Sequence, residues 1–141
     1  MGKTNMFKSL RNKIVKLDRG SADSNVGKII AVKDDYLALL TKDEGIIYYA
    51  LEHIQSVTEN VKHPHDFEVK IENIKHLPDT LASLLSTCNY DWVEVQLENG
   101  QMEEGVVNKV DDGVLTMVDH KKVIRIVMKK INNVSIGVRP K

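Results

Sequence analysis

A chain of 141 residues holds one ordinary domain or two very small ones, and 42% apolar residues suffice for a core, which excludes a disordered protein. Lysine plus arginine balance aspartate plus glutamate at 20 each, so the basic excess of a dedicated nucleic-acid binder is missing. Cys88 is the single cysteine, which excludes an intrachain disulfide and a cysteine-based zinc site; it reads as a reduced, partly buried thiol, with an intermolecular cross-link as the alternative.

Taken in chain order, Met1 to Asn5 lead into no apolar run, so neither a signal peptide nor a membrane span is expected. Met6 to Arg11 carry Phe7 and Leu10 at i, i+3 spacing and predict a short helix. From Lys13 onward, short alternating runs rich in β-branched and aromatic residues predict strands. Asp34-Asp35 and Lys42-Asp43-Glu44-Gly45 punctuate them as tight turns. Val61 to Asp66 reads as a loop, and Phe67, Val69 and Ile71 alternate with charges, as an extra strand would. A second short helix is expected from Asp79 to Thr87, after Pro78, with Asp79 as N-cap and Leu81, Leu84 and Leu85 on its apolar face. Strand-like runs then resume, broken by Asp111-Asp112-Gly113 and Asp119 to Lys122.

The two halves repeat. Lys13 to Gly20 matches Val93 to Gly100, with Val15 and Leu17 set on Val95 and Leu97. Gly27 to Leu40 matches Gly105 to Val118, and Ile46 to Val57 matches Val123 to Val134. The fold class is therefore mainly β, as two tandem Sm-like or SH3-like small barrels, each preceded by a short helix. The expected division is a first module at 1–60, a linker with an extra strand at 61–78 and a second module at 79–141. Modules of about 60 residues are marginal alone, so the two should pack on each other. Val15, Leu17, Ile29, Leu37, Leu39 and Ile54 are the expected core of the first, and Val95, Leu97, Val107, Leu115, Met117 and Ile131 of the second.

Ile46-Ile47-Tyr48-Tyr49, followed by Leu51-Glu52-His53-Ile54, Ser56 and Glu59, resembles the CotB family of Bacillus spore coat proteins. So do Arg19-Gly20, Gly27-Lys28, and Ala31-Val32-Lys33 leading into Asp35 to Leu39. Residues 7 to 60 carry most of the resemblance. It implies a non-enzymatic component of the outer spore coat, made in the mother-cell cytoplasm and working among other coat proteins. The sequence departs from the family pattern in two ways. Ser21 to Ser24 stand where the family has Gly-Gly-Pro-Glu, and the chain ends at Lys141 without the family's Ser/Lys/Arg-rich tail, as a truncated or a short tail-less member would.

No catalytic constellation stands out. The sequence contains no Gly-x-Ser-x-Gly, no Walker loop and no dinucleotide fingerprint, so no enzyme and no cofactor are expected. His63, His65 and Asp66 offer too few ligands, in a proline-containing loop, for a metal site. Asp34-Asp35 and Asp111-Asp112 recur at equivalent places, as turn residues would. Lys121, Lys122, Arg125, Lys129 and Lys130 form the candidate anion- or partner-binding group, with Arg125 and Lys129 expected on one side of a strand and Lys121 beside them at the turn. Asp43, Glu44 and Glu52 hold the matched places in the first half, which suggests head-to-tail complementarity between neighbours. Tyr36, Tyr48 and Tyr49 are the candidate interface, with Tyr48 and Tyr49 pointing to opposite faces.

The reading that follows is a structural spore coat component assembling non-covalently with itself or with other coat proteins. Anion, silicate or mineral binding by basic residues and a tail is an additional expectation. The alternatives are an Sm-like RNA binder, weakened by the neutral charge, and a PRC-type barrel, which would need a deep pocket.

Overall fold

The computed structural model describes residues 2–18, 24–42, 44–59 and 77–137. The first half runs α1 (Gly2–Ser9), β1 (Ile14–Asp18), β2 (Ser24–Val32), β3 (Tyr36–Thr41), β4 (Ile46–Ala50) and β5 (Ser56–Glu59). The second runs α2 (Leu81–Ser86), β6 (Trp92–Leu97), β7 (Met102–Asp111), β8 (Val114–Asp119), β9 (Lys122–Val127) and β10 (Ile131–Ile136). A short 3-10 turn, at Leu51–His53 and again at Met128–Lys130, precedes the last strand of each half.

Among the described residues ten strands belong to one sheet, in the order β5-β1-β2-β3-β4-β10-β6-β7-β8-β9, and every neighbouring pair is antiparallel. The expectation of two barrels needs correction on this point: the chain is mainly β, but the sheet does not close. The inner end of the first half's strand set, β4, pairs with β10 of the second half. A strand edge already bonded to the other repeat has no donors or acceptors left for its own module.

The duplication is visible in the ladder. Gly27 faces Thr41 and Val15, and Gly105 faces Val93. A register break falls at Ile30 in β2·β3 and at Asn108 in β7·β8. Asn12 and Tyr90, each at φ 71°, end the helix-to-strand connections, and their N–H groups donate to the Ile29 and Val107 carbonyls. This pairing places Val15 on Val93 and Leu17 on Val95, two residues away from the alignment read off the sequence. A slip of two preserves the face of a strand, so it cost little in the core assignment. Every residue of the expected core is buried except Leu97, which is half-buried because it lies beyond the last matched core position, at the end of β6.

Two main cores result. Phe7 of α1 packs with Val15, Leu17, Ile29, Leu37, Leu39, Ile47, Tyr49, Leu51 and Ile54. The other joins Leu81, Leu84, Leu85 and Cys88 to the inner face of the second half, and takes in Tyr36 and Ala50 from the first. Strand β3 is buried along its whole length, since Ala38 and Leu40 meet a third, smaller cluster on the opposite face. Both helices are as short as expected. α1, however, begins at Gly2 and ends at Ser9, and the N-cap of α2 is Thr80 rather than Asp79. The Thr80 hydroxyl accepts from the Ser83 N–H at 3.1 Å, the bond that satisfies an otherwise orphaned donor of the first turn.

Candidate assembly edges and the joint between the repeats

The joint between the halves is built on β4 and β10, with Tyr49 opposite Asn133, Tyr48 opposite Val134 and Ile47 opposite Ser135. Alternation along β4 sends Tyr49 into the first core and Tyr48 toward the second, so one strand serves both. The Tyr48 ring meets Tyr36 edge-on, with centroids 6.1 Å apart. Tyr36 and Tyr49 are buried and Tyr48 is half-buried, so the candidate aromatic residues lie at the joint inside the chain. Burial pushes the phenols of Tyr36 and Tyr48 up from their ordinary range.

The β2–β3 turn reinforces this joint. Asp35 Oδ1 accepts from the N–H of Leu81, the first residue of α2, at 2.8 Å. Asp34 donates its N–H to the Asp79 carbonyl at 3.0 Å, and the Tyr36 hydroxyl donates to the Pro78 carbonyl at 2.6 Å. The acid pair thus does more than turn the chain: it fastens the second helix to the first half. On the other side, His53 Nε2 lies 2.6 Å from the Lys129 carbonyl, which fixes the ring proton on Nε2, and Nδ1 lies 3.6 Å from Glu98. Glu98 also accepts from Lys130 Nζ at 2.9 Å, and that bond holds its carboxyl below the usual range. Both of these His53 partners, Lys129 and Glu98, lie in the other repeat, beyond the reach of local sequence spacing.

The basic residues are all exposed but do not form one stripe. Lys122 and Arg125 are on β9, and Arg125 stands on its outer face with Val123 and Val127. Lys121 is in the preceding turn. Lys129 and Lys130 sit in the 3-10 turn after β9, where strand alternation no longer applies, so Arg125 and Lys129 do not share a strand face as expected. Lys130 is engaged by Glu98.

Two clefts and one acid cluster were not anticipated. A cleft of about 410 Å³ opens at the joint, lined among others by Asp34, Asp35, Glu52, Ala82 and Lys129. A second of about 390 Å³ is lined by Tyr90, Trp92, Asn108, Val118 and His120, where the Trp92 indole N–H is buried without a partner. Glu94, directly opposite Glu104 in the ladder and near Glu44, has its carboxyl raised by burial first and then by those two charges. Among the described residues no group of three or more His, Cys, Asp or Glu is placed to hold a metal ion. His63, His65, Asp66, His76 and the run Phe67 to Ile71 lie outside the described residues, as does Asp43.

At the ends of the sheet, among the described residues, stand β5 and β9. Neither contains proline, and β9 keeps a regular register with β8 from Lys122 to Val127.

The family model of the YwrJ third domain matches residues 5–57, the first half with its helix. Spore coat protein B of Bacillus subtilis (strain 168) is 28% identical over 132 residues, covering 91% of this chain. The chain is thus similar to the CotB-type spore coat proteins. It spans 33% of the length of that curated relative, and the similarity extends through both repeats. No solved structure matches the chain.

Proposed function

We propose that the chain is a structural, non-enzymatic module of the spore coat that assembles through its strand edges with copies of itself or with other coat proteins. The single observation that carries this reading is the similarity to spore coat protein B along 91% of the chain. The two strand edges that end the sheet among the described residues supply a physical means, since an edge strand presents a row of backbone donors and acceptors to any extended partner. In this reading residues 1–60 and 79–141 are two Sm-like modules that fold together, with 61–78 as their link. The outer coat layer is the site of action, and the mother-cell cytoplasm is the site of synthesis. Lys121, Lys122 and Arg125, with Lys129 beside them, give a local cationic surface for a polyanion or silicate, weak and salt-sensitive because the whole chain is neutral.

The strand order within each half is also what an Sm-like RNA binder would use, and the test separates the two. Immobilised chain is exposed to solubilised coat extract and, in parallel, to labelled single-stranded RNA across salt. Retention of coat proteins without a shift of the RNA supports the proposal. Salt-sensitive RNA binding with no coat protein retained would replace it with the RNA reading.

A further inference from the structure

The chain contains a worked example of its own assembly contact. In the ladder β4 of the first repeat is equivalent to β9 of the second, and β5 is equivalent to β10. The internal joint is β4·β10. The two strands at the ends of the sheet among the described residues, β9 and β5, are therefore the same complementary pair once more, one at each end of the strand order. We infer that β9 of one copy pairs antiparallel with β5 of a second copy, in the register of β4·β10, so that copies add head to tail; this deepens the assembly reading above and rests on it.

The register follows from the repeat. Tyr48 opposite Val134 becomes Arg125 opposite Val57 of the next copy, and Tyr49 opposite Asn133 becomes Ile126 opposite Ser56. Ile124 then faces Thr58, and Val123 faces Glu59. Two features of β9 fit such a contact. Val123 and Val127 are each 52% exposed on the outer face of the strand, an apolar pair left open to solvent. Glu59, directly opposite Val123, lies diagonal to Lys121 and Arg125 on the same face.

The contact is reversible where the internal one is permanent. Tyr48, Tyr36 and Asp35, which reinforce the internal joint, are matched at the end of the sheet by Arg125, Val114 and Gly113. The end joint keeps the backbone ladder and loses the aromatic pair and the side-chain acceptor for the incoming helix. Because β9 and β5 are different surfaces, the contact is heterologous, and copies add on into a ring or a filament according to the rotation per step.

The experiment uses residues 1–141 throughout. Mass is measured by light scattering over a range of concentrations for the unaltered chain. Val57→Cys and Arg125→Cys are then oxidised separately and mixed, with the unaltered chain reporting any background from Cys88. Expected are a mass that rises with concentration and a disulfide dimer in the mixture alone. Val123→Glu, which sets a carboxylate against Glu59, should weaken association roughly twofold to fivefold, and mixing it with Glu59→Lys should restore it. Dimers of Arg125→Cys alone or Val57→Cys alone would show like-edge pairing, overturn the inference and leave self-assembly standing. A chain that stays single at all concentrations yet is retained by coat extract would overturn the inference and leave the coat reading standing. A single chain that coat extract ignores would overturn both.

Discussion

Gly27 and Gly105 occupy equivalent points where β2 runs against β3 and β7 against β8, and alanine there measures how closely the strands approach. A Cβ on Gly27 would lie 2.5 Å from the Leu40 carbonyl oxygen and 2.8 Å from Leu39 Cγ. On Gly105 it would lie 2.9 Å from the Val118 carbonyl oxygen and 3.4 Å from Met117 Cβ. Neither glycine has a positive φ, so the cost is steric rather than conformational. The obstacle is backbone in both cases, and in the first half it is fixed further by the ladder pairs Gly27–Thr41 and Lys28–Leu40. Overpacking of this kind costs about 1–3 kcal/mol. Restricting the unfolded chain returns about 0.4–1 kcal/mol. The net expectation is a loss of about 2 kcal/mol for Gly27→Ala and about 1 kcal/mol for Gly105→Ala. At about 3 °C per kcal/mol for a chain of this size, the midpoints fall by about 6 °C and about 3 °C. Thermal and urea unfolding followed by circular dichroism read both. A Gly27→Ala chain as stable as the unaltered one, or a larger loss at Gly105 than at Gly27, would refute the close approach on which the argument stands.

Three further outcomes are expected. Asp35→Ala removes the acceptor for the Leu81 N–H and should cost about 1 kcal/mol in urea unfolding, whereas Asp35→Asn keeps an oxygen acceptor and should cost less; equal losses for the two variants would contradict the fastening role of Asp35. Tyr36→Phe keeps the ring and removes the bond to the Pro78 carbonyl, for a loss of about 1–2 kcal/mol, and no change in midpoint would mean that the bond is not formed in solution. Glu94 has a folded-state carboxyl raised above its unfolded value, so the folded chain binds the extra proton and loses stability as pH rises through the raised value. Glu94→Gln should therefore raise the melting midpoint at about pH 7 and change it little at about pH 3, where both states are protonated; a gain confined to low pH would reverse the sign and sink the explanation.

The sequence by itself determined the β class, the duplication, the two helix positions and nearly all of the core. Each rests on local periodicity, which a strand writes into its sequence as alternation and a repeat writes twice. Val15, Ile29, Leu37, Val107, Leu115 and Ile131 were legible for that reason. The two-residue misalignment of β1 on β6 passed unnoticed because a period of two makes such slips invisible, and Leu97 alone betrays it. What only the tertiary structure decided is how the halves meet. Nothing local distinguishes a β4 that closes its own barrel from a β4 that pairs with β10, because the same backbone groups serve either partner. The roles of Asp35, His53 and Tyr36 depend on that choice: each finds its partner in the other repeat or in the segment leading to it, at Leu81, Lys129 and Pro78. Joining the halves edge to edge also leaves β5 and β9 as the ends of the sheet among the described residues, since a linear order of strands that does not close must stop somewhere.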